Sequence, residues 1–383
     1  MLSWEFPPLV VGGIARHVHD LSLSLARQGI EVTVLTAGGS NAPQLERQGN
    51  LTIHRVVAGN PSPQDFIGQI MQLNLNLLER ALALVKEGRP FSLVHAHDWV
   101  TAYAGKALKH GLELPLLATI HATEWGRNNG LHNEMQRHIS SVEWWLGYEA
   151  WRVICCSKYM AAELRQVFQL PKDKLRIIPN GVNREESSAG PVPPGFRDRY
   201  AAPGERIIFH VGRLVREKGL DVLLEALPRI LSQYPQAKLI IAGRGGHAEA
   251  LKEHARQLGI YHRIYFTGYL DDHTRNLLYG LADVAVFPSL YEPFGIVALE
   301  AMAAGAPPVV SDTGGMSEIV VHGRNGLKAQ TGNPVSLAEN VLWLLQRPEQ
   351  AERMRRQGLE DVRKLYDWSD IARRTLAVYQ EVL

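Results

Sequence analysis

The chain has 383 residues, 45% of them hydrophobic and 21% charged, which is enough for two domains with proper cores and too apolar for a disordered chain. Its 41 Lys and Arg stand against 39 Asp and Glu, a formal charge of +2. That balance excludes a generic nucleic-acid binder held by a basic surface. Two adjacent cysteines, Cys155 and Cys156, cannot build a disulfide framework or a four-thiolate zinc site, and they point to a reducing, cytoplasmic compartment.

No apolar run reaches the ~18 residues of a membrane span, and the first residues lack the charged and apolar regions of a secretory leader. The chain opens at Met1-Leu2-Ser3-Trp4-Glu5-Phe6-Pro7-Pro8, already at the end of a strand, so the first parallel strand reads as clipped. Apolar runs then predict strands at Glu31–Thr36, Leu51–Val57, Ser92–His95, Pro115–Ile120, Trp151–Cys156 and Lys174–Ile178. Helical patterns lie between them; Ile14, Val18, Leu21 and Leu25 form a stripe at 3.6 spacing that stops at Gly29. The Gly- and Pro-rich stretch Asn180–Gly204 has no periodicity and reads as a linker. The alternation then restarts, with strands at Arg206–Val211, Lys238–Ala242, Arg263–Thr267, Asp283–Phe287 and Pro308–Ser311, and an amphipathic helix, Ser369–Leu383, closes the chain. This is an α/β pattern of two doubly wound, Rossmann-like domains. The expected site is a cleft at the carboxyl ends of both sets of strands.

The chemistry-bearing residues fall at those strand ends. Gly12-Gly13 lets the backbone approach an anion at a helix N-terminus, or simply makes a tight turn. Arg213 and Lys218 follow the strand Ile207–Val211 and precede a helix starting near Gly219, a loop biased towards a polyanion such as a diphosphate. Arg216 and Glu217 read as a solvated pair. Glu300 is the only charge in the otherwise apolar helix Ile296–Gly305, so it needs a partner or a ligand. Glu292 lies in the loop Pro288–Gly295 after a strand, and Asp312-Thr313-Gly314-Gly315 makes a second Gly-rich strand-to-helix turn.

His121 ends one strand, and His95, His97 and Asp98 end the one before; a histidine so placed suits hydrogen bonding to a polar substrate. Asp98 as a helix cap and His95 as a core residue are the plain alternatives. His95 and His97 share a strand face without a clear third and fourth ligand, so no metal site is expected. Asp271-Asp272 reads as a helix N-cap. Five of the eight tryptophans (Trp99, Trp125, Trp144, Trp145, Trp151) fall within residues 99–151, either as a sugar-stacking platform or as ordinary packing beside Met135, Ile139, Val142 and Leu146.

Taken together, the Gly-Gly turn, Arg213 with Lys218, Glu292-Pro293-Phe294-Gly295 followed by Glu300, and the strand-end histidine resemble the family-4 retaining glycosyltransferases of the GT-B fold. The likeness runs along nearly the whole chain. It implies an N-terminal acceptor domain over 1–190, a nucleotide-sugar domain over 191–365, and a helix over 366–383 that crosses back, entered through Tyr366-Asp367-Trp368. It implies that Arg213 and Lys218 clamp the donor diphosphate, with Gly12, Gly13 and Thr313-Gly314-Gly315 adding backbone N–H groups. Glu300 would accept from the ribose, and Phe294 and Gly295 would shape the same pocket. Glu292 and His121 would hold the donor sugar; His97, Asp98, Trp99 and Trp125 would face the acceptor. No cofactor or metal is implied.

The segments His95–Trp99, Trp4–Pro8 and Gly12-Gly13 are similar to the glycogen and starch synthase branch, which implies a nucleoside diphosphate glucose donor (ADP- or UDP-glucose) and an oligo- or polysaccharide acceptor. Val10 stands where the best-known bacterial glycogen synthases carry a lysine, a departure that favours a family-4 relative over that type. Two alternatives go with this reading. One is the same transfer onto a sugar phosphate, an inositol or a lipid-linked glycan; against a peripheral-membrane version of it Phe66–Leu84 counts by being amphipathic yet almost free of Lys and Arg. The other is a sugar-nucleotide 2-epimerase.

Overall fold

A computed structural model describes residues 1–39, 42–57, 65–183, 187 and 190–383. The chain divides into two compact units, one formed by Met1–Gly181 with Trp368–Leu383 and the other by Val182–Asp367.

The first unit holds helix α1 (Gly13–Arg27), strands β1 (Val32–Gly38), β2 (Leu45–Gln48) and β3 (Leu51–Val57), and helix α2 (Phe66–Lys86). Strand β4 (Val94–His97), helix α3 (Ala102–Gly111) and strand β5 (Leu116–Ile120) follow. Next come helices α4 (Glu124–Asn128) and α5 (Glu134–Glu149), strand β6 (Arg152–Cys155), helix α6 (Lys158–Phe168) and strand β7 (Leu175–Ile177). The strands pair in the orders β1-β3-β2 and β4-β5-β6-β7, all parallel except β2 against β3. Leu2 bridges Leu35 of β1 and Ala96 of β4 and so joins the two sets. Strand β4 ends at His97 rather than His95, because His97 still pairs with Thr119.

The second unit is a six-stranded, all-parallel sheet of β8 (Arg206–Val211), β9 (Ala237–Ala242), β10 (Ile264–Gly268), β11 (Val284–Phe287), β12 (Pro308–Ser311) and β13 (Leu327–Ala329), in the order β10-β9-β8-β11-β12-β13. Its helices are α7 (Leu220–Gln233), α8 (Ala248–Gln257), α9 (Asp272–Leu281), α10 (Ile296–Ala303), α11 (Met316–Ile319), α12 (Pro334–Leu345) and α13 (Pro348–Leu365). Strands such as Ile207-Ile208-Phe209 are buried throughout, as a parallel sheet covered on both faces requires. Helix α7 contributes Leu223, Leu224, Leu227 and Ile230 to that core, and α12 contributes Val341 and Leu344.

The last helix, α14 (Trp368–Gln380), buries Ile371, Ala372, Val378 and Tyr379 against Val18, Leu21 and Leu25 of α1. Units therefore part at Gly181/Val182 and Asp367/Trp368, not at 190/191 and 365/366. The reason is Trp368: its indole lies so close over Gly181 that a Cβ there would meet it at 2.7 Å, whereas Val182 N donates to Tyr366 O in the second unit. Part of the linker read at Asn180–Gly204, namely 184–186 and 188–189, lies outside the described residues. No helix among the described residues is long and apolar enough to cross a membrane.

Candidate active site

In the second unit strand order reverses between β8 and β11, the point where open parallel sheets bind ligands beyond their carboxyl ends. The β8 loop passes through a single 3₁₀ turn, Arg216–Lys218, and reaches α7 through Gly219 at φ +64°. That glycine lies against the loop after β11, since a Cβ on it would meet Pro288 O at 2.1 Å. Leu290 N closes the junction by donating to Glu217 O (2.8 Å).

Through this junction Lys218 Nζ reaches Glu292 Oε2 at 2.6 Å, with both side chains largely buried. Arg213 is exposed and pairs with Glu217 (3.1 Å), so the solvated pair expected between Arg216 and Glu217 gives way to one between Arg213 and Glu217. The turn after β12 packs on the same loop. Gly315 N donates to Glu292 O (2.9 Å), and Gly314, at φ +58°, leaves room for that carbonyl. Gly295, at φ +102°, has Met316 where a Cβ would lie, and Phe294 is buried. Lys218, Glu292, Phe294, Gly295, Gly314 and Gly315 thus form one packed constellation, with Arg213 tied in through Glu217.

One expectation changes here. The Thr313 and Gly315 amides already donate to Ser311 and Glu292, so the turn holds the Glu292 loop rather than offering both N–H groups to a ligand. Glu300, buried in α10, has a cationic neighbour: Arg275 Nη1 lies 3.6 Å away, and Asp272 shares that guanidinium at 3.0 Å. Asp271, as expected, caps α9 by accepting from Thr274 N.

His210, not singled out from the sequence, is fully buried on β8 and donates from Nδ1 to Val286 O (2.8 Å). Burial, and secondarily the Lys218 charge, lowers its pKa to about 4, so at neutral pH it is an uncharged ring beside the cation. Its signal was a polar residue inside the run Ile207–Val211.

In the first unit the Gly12-Gly13 turn opens α1, but its anion is the protein's own. Glu5 Oε2 accepts from Val11 N (2.5 Å) and Gly12 N (2.8 Å). Burial raises the Glu5 pKa, with the Gly12 and Val11 amides opposing. The Gly12 amide expected to face the donor is therefore engaged by a carboxylate at the helix N-terminus, an arrangement favoured there by free N–H groups and the helix dipole.

Histidines gather at the ends of β4 and β5. His97 Nδ1 and His121 Nε2 lie 3.3 Å apart, and the His17 ring, from α1, meets His121 edge-on with centroids 4.6 Å apart. Asn180 holds His17 through Nδ1 (2.8 Å). One ring nitrogen from each of His17, His97 and His121 lies within 4.8 Å of the other two. The spacing pairs His97 with His95 alone, whereas the fold sets His121 and His17 beside it. His95 is not among them, because Tyr379 OH and Thr119 Oγ1 take its two nitrogens (2.8 and 2.7 Å). Burial holds all these rings neutral, with His121 lowered to about 3.

Asp98 does not cap the following turn with its side chain. Its carboxylate accepts from His121 N (2.7 Å) instead, which fixes the end of β5 to the end of β4, and burial raises its pKa to about 6. The backbone of Asp98 has φ +58°, an uncommon conformation for a non-glycine residue. Trp99 is core, packed on Phe66. Trp125 lines an open groove of about 520 Å³ with Trp144, Arg137, Ser140 and Ser141.

Residues 196–361 match the family described as Glycosyl transferases group 1, and residues 11–186 match Glycosyltransferase Family 4. An uncharacterized glycosyltransferase of Methanocaldococcus jannaschii is 37% identical, the match covering 99% of this chain and 97% of that protein. The chain belongs to the GT-B glycosyltransferases. A glycogen synthase of Mycobacterium tuberculosis is 36% identical over 99% of this chain and 93% of its own length. Among solved structures, a sucrose-phosphate synthase from Thermosynechococcus elongatus superposes with a TM-score of 0.84 at 26% identity, covering 99% of this chain and 97% of its own. The glycosyltransferase carries an α/β build of two Rossmann-like units, as the strand–helix alternation predicts.

Proposed function

We propose that this glycosyltransferase is a retaining, metal-independent hexosyltransferase that moves glucose from a nucleoside diphosphate glucose to an α-glucan. The observation that carries the reading is the Lys218–Glu292 pair, set at 2.6 Å beyond the two central strands of the nucleotide-type sheet. A diphosphate delivered to that point meets Lys218 and Arg213, cations of the kind that neutralise a leaving pyrophosphate in place of a divalent ion. The full-length likeness to a glycogen synthase favours glucose and a glucan.

In this reading the bond from the sugar anomeric carbon to the phosphate oxygen breaks while its electron pair goes to the nucleoside diphosphate. The acceptor hydroxyl bonds to that carbon on the same face, and its proton passes to the leaving phosphate oxygen. Charge grows on the phosphate, where Lys218 and Arg213 act. Glu300 accepts from the ribose, with Arg275 beside its carboxylate. His121 contributes a neutral ring to the donor sugar. Trp125 and Trp144 offer apolar faces to a glucan chain, and Arg137, Ser140 and Ser141 offer hydrogen bonds beside them.

Nucleotide release measured across ADP-, UDP- and GDP-sugars, with and without malto-oligosaccharides, tests the proposal. The expected result is chain extension from a glucose donor with an α-linked product and undiminished activity in a chelator. Release only with a phosphorylated monosaccharide selects the second reading, transfer to a sugar phosphate, which the likeness to a sucrose-phosphate synthase supports. Conversion of the sugar nucleotide with no acceptor present selects the epimerase.

A further inference from the structure

We propose that His17, His97 and His121 form a binding site for one divalent transition metal ion of the zinc class. The site is distinct from the diphosphate-binding constellation of the second unit, and its formation does not depend on the function proposed above.

Four observations carry it. First, one nitrogen from each ring lies within 4.8 Å of the other two, so the three can converge on one ion with small side-chain adjustments. Second, His97 Nδ1 and His121 Nε2 are 3.3 Å apart, long for a hydrogen bond between neutral rings. It matches the roughly 3.3 Å edge of a tetrahedron whose metal–nitrogen bonds are about 2.0–2.1 Å. Third, His17 Nε2 is buried without a hydrogen-bond partner, and its other nitrogen is held by Asn180 Oδ1 at 2.8 Å. Such a contact fixes the tautomer with the proton on Nδ1 and aims the Nε2 lone pair, the outer-sphere arrangement typical of metal-ligating histidines. Fourth, the Trp368 ring packs against His17 with centroids 5.5 Å apart, and its indole N–H is also buried without an acceptor. That donor suits a water or anion in the fourth coordination position.

The ligand set selects the metal. Three neutral imidazoles suit Zn²⁺, Cu²⁺, Co²⁺ or Ni²⁺ and are poor ligands for Mg²⁺ or Ca²⁺, which prefer oxygen. His95 takes no part, its nitrogens being committed to Tyr379 and Thr119. His121 is the least buried of the three, so the ion has a route in on that side. Where His121 serves the donor sugar, as in the proposed reaction, an ion on its lone pair competes with the donor, making the site inhibitory.

The test uses the full chain, stripped with a chelator and titrated with Co²⁺ and with Zn²⁺. One equivalent of Co²⁺ should give the intense visible absorption of a tetrahedral site, and Zn²⁺ should displace it. His17→Gln and His97→Gln should each abolish that spectrum, and Asn180→Ala should weaken binding ~10–100-fold, the usual cost of losing an outer-sphere partner, all with unchanged circular dichroism. If a histidine variant fails to fold, X-ray absorption on the zinc-loaded native chain decides, since the site requires three imidazoles on the ion. A weak, six-coordinate cobalt spectrum, zinc binding that survives both histidine replacements, or fewer than three imidazoles on the ion overturns the proposal. Each of these results stands whether or not the chain transfers glucose; competition between Zn²⁺ and the donor is read separately.

Discussion

Lys218 Nζ lies 2.6 Å from Glu292 Oε2, an ion pair between the loops that follow the two central strands of the second unit. The side chains retain only 18% and 11% of their exposure, so the pair locks the loops together; in the proposed reaction its cation also meets the donor phosphate. Removing one partner strands the other charge. Lys218→Ala should therefore lower turnover at least tenfold, within the ~10²–10³ typical of losing one charge-stabilising group, and lower the melting temperature as well. The double replacement Lys218→Met with Glu292→Gln separates the two effects, because the unpaired charge is gone. Stability should return towards that of the parent while turnover stays low. Recovery of turnover in the double variant would remove Lys218 from the chemistry.

Arg275 and Glu300 make the second decisive pair, nearly buried at 3.6 Å. Arg275→Met should destabilise the fold by about 3 kcal/mol, the range for removing one member of a buried ion pair, seen as a lower urea midpoint. Glu300→Gln keeps size and loses charge. It should raise the donor KM about tenfold, as expected when a charged hydrogen bond worth about 1.5–3 kcal/mol is weakened, with little change in oligosaccharide KM. An unchanged donor KM would leave Glu300 a purely structural partner of Arg275.

These pairs show what the sequence reveals. Strands covered on both faces are continuous apolar runs, so Pro308–Ser311 is legible to the residue, and reading each loop after a strand end singled out Lys218 and Glu292, which the fold pairs at 2.6 Å. Strand β2 was invisible because Leu45–Gln48 is exposed throughout and exists only by pairing with β3. Glu5 on the Val11 and Gly12 amides, and Arg275 beside Glu300, depend on side chains meeting across turns and helices, for which spacing gives no sign. His17 did leave a signal: it falls on the buried stripe of α1 between Ile14 and Val18, and a histidine at such a position needs an explanation.

Gly314 tests whether the turn after β12 positions Glu292. A Cβ there would meet Glu292 O at 1.9 Å, at φ +58°, so alanine forces the loop to move as well as straining its own backbone. Gly323 is the control: its φ is +79°, but nothing lies within 4 Å of a Cβ. Gly323→Ala should cost only about 1 kcal/mol, the strain of a left-handed conformation, and leave turnover intact. Gly314→Ala should lose turnover at least tenfold, through displacement of a group that must be held to within about 0.5 Å. Equal effects of the two replacements on turnover would show that the turn does not position Glu292.

Glu381 fastens the end of the last helix to the first unit's sheet. Arg152 Nε donates to Oε2 (2.7 Å), and Arg176 donates from Nε to Oε1 (2.8 Å) and from a second guanidinium nitrogen to Oε2. The hydrogen bonds from Arg176 and then Arg152 lower its pKa to about 2, against an ordinary value of 4.5. Because the folded pKa is depressed, the unfolded chain binds more protons between these values, so this stabilisation is complete above pH 4.5 and is lost as pH falls towards 2. Solvent screens the carboxylate, a third of whose side chain is exposed, so the contribution at neutral pH is held to about 1 kcal/mol or less. Glu381→Gln should therefore lower stability modestly at pH 7, measured by urea unfolding, with the difference from the parent shrinking from pH 4.5 downwards. A difference that stays constant down to pH 2 would mean that packing, not charge, holds this end of the helix.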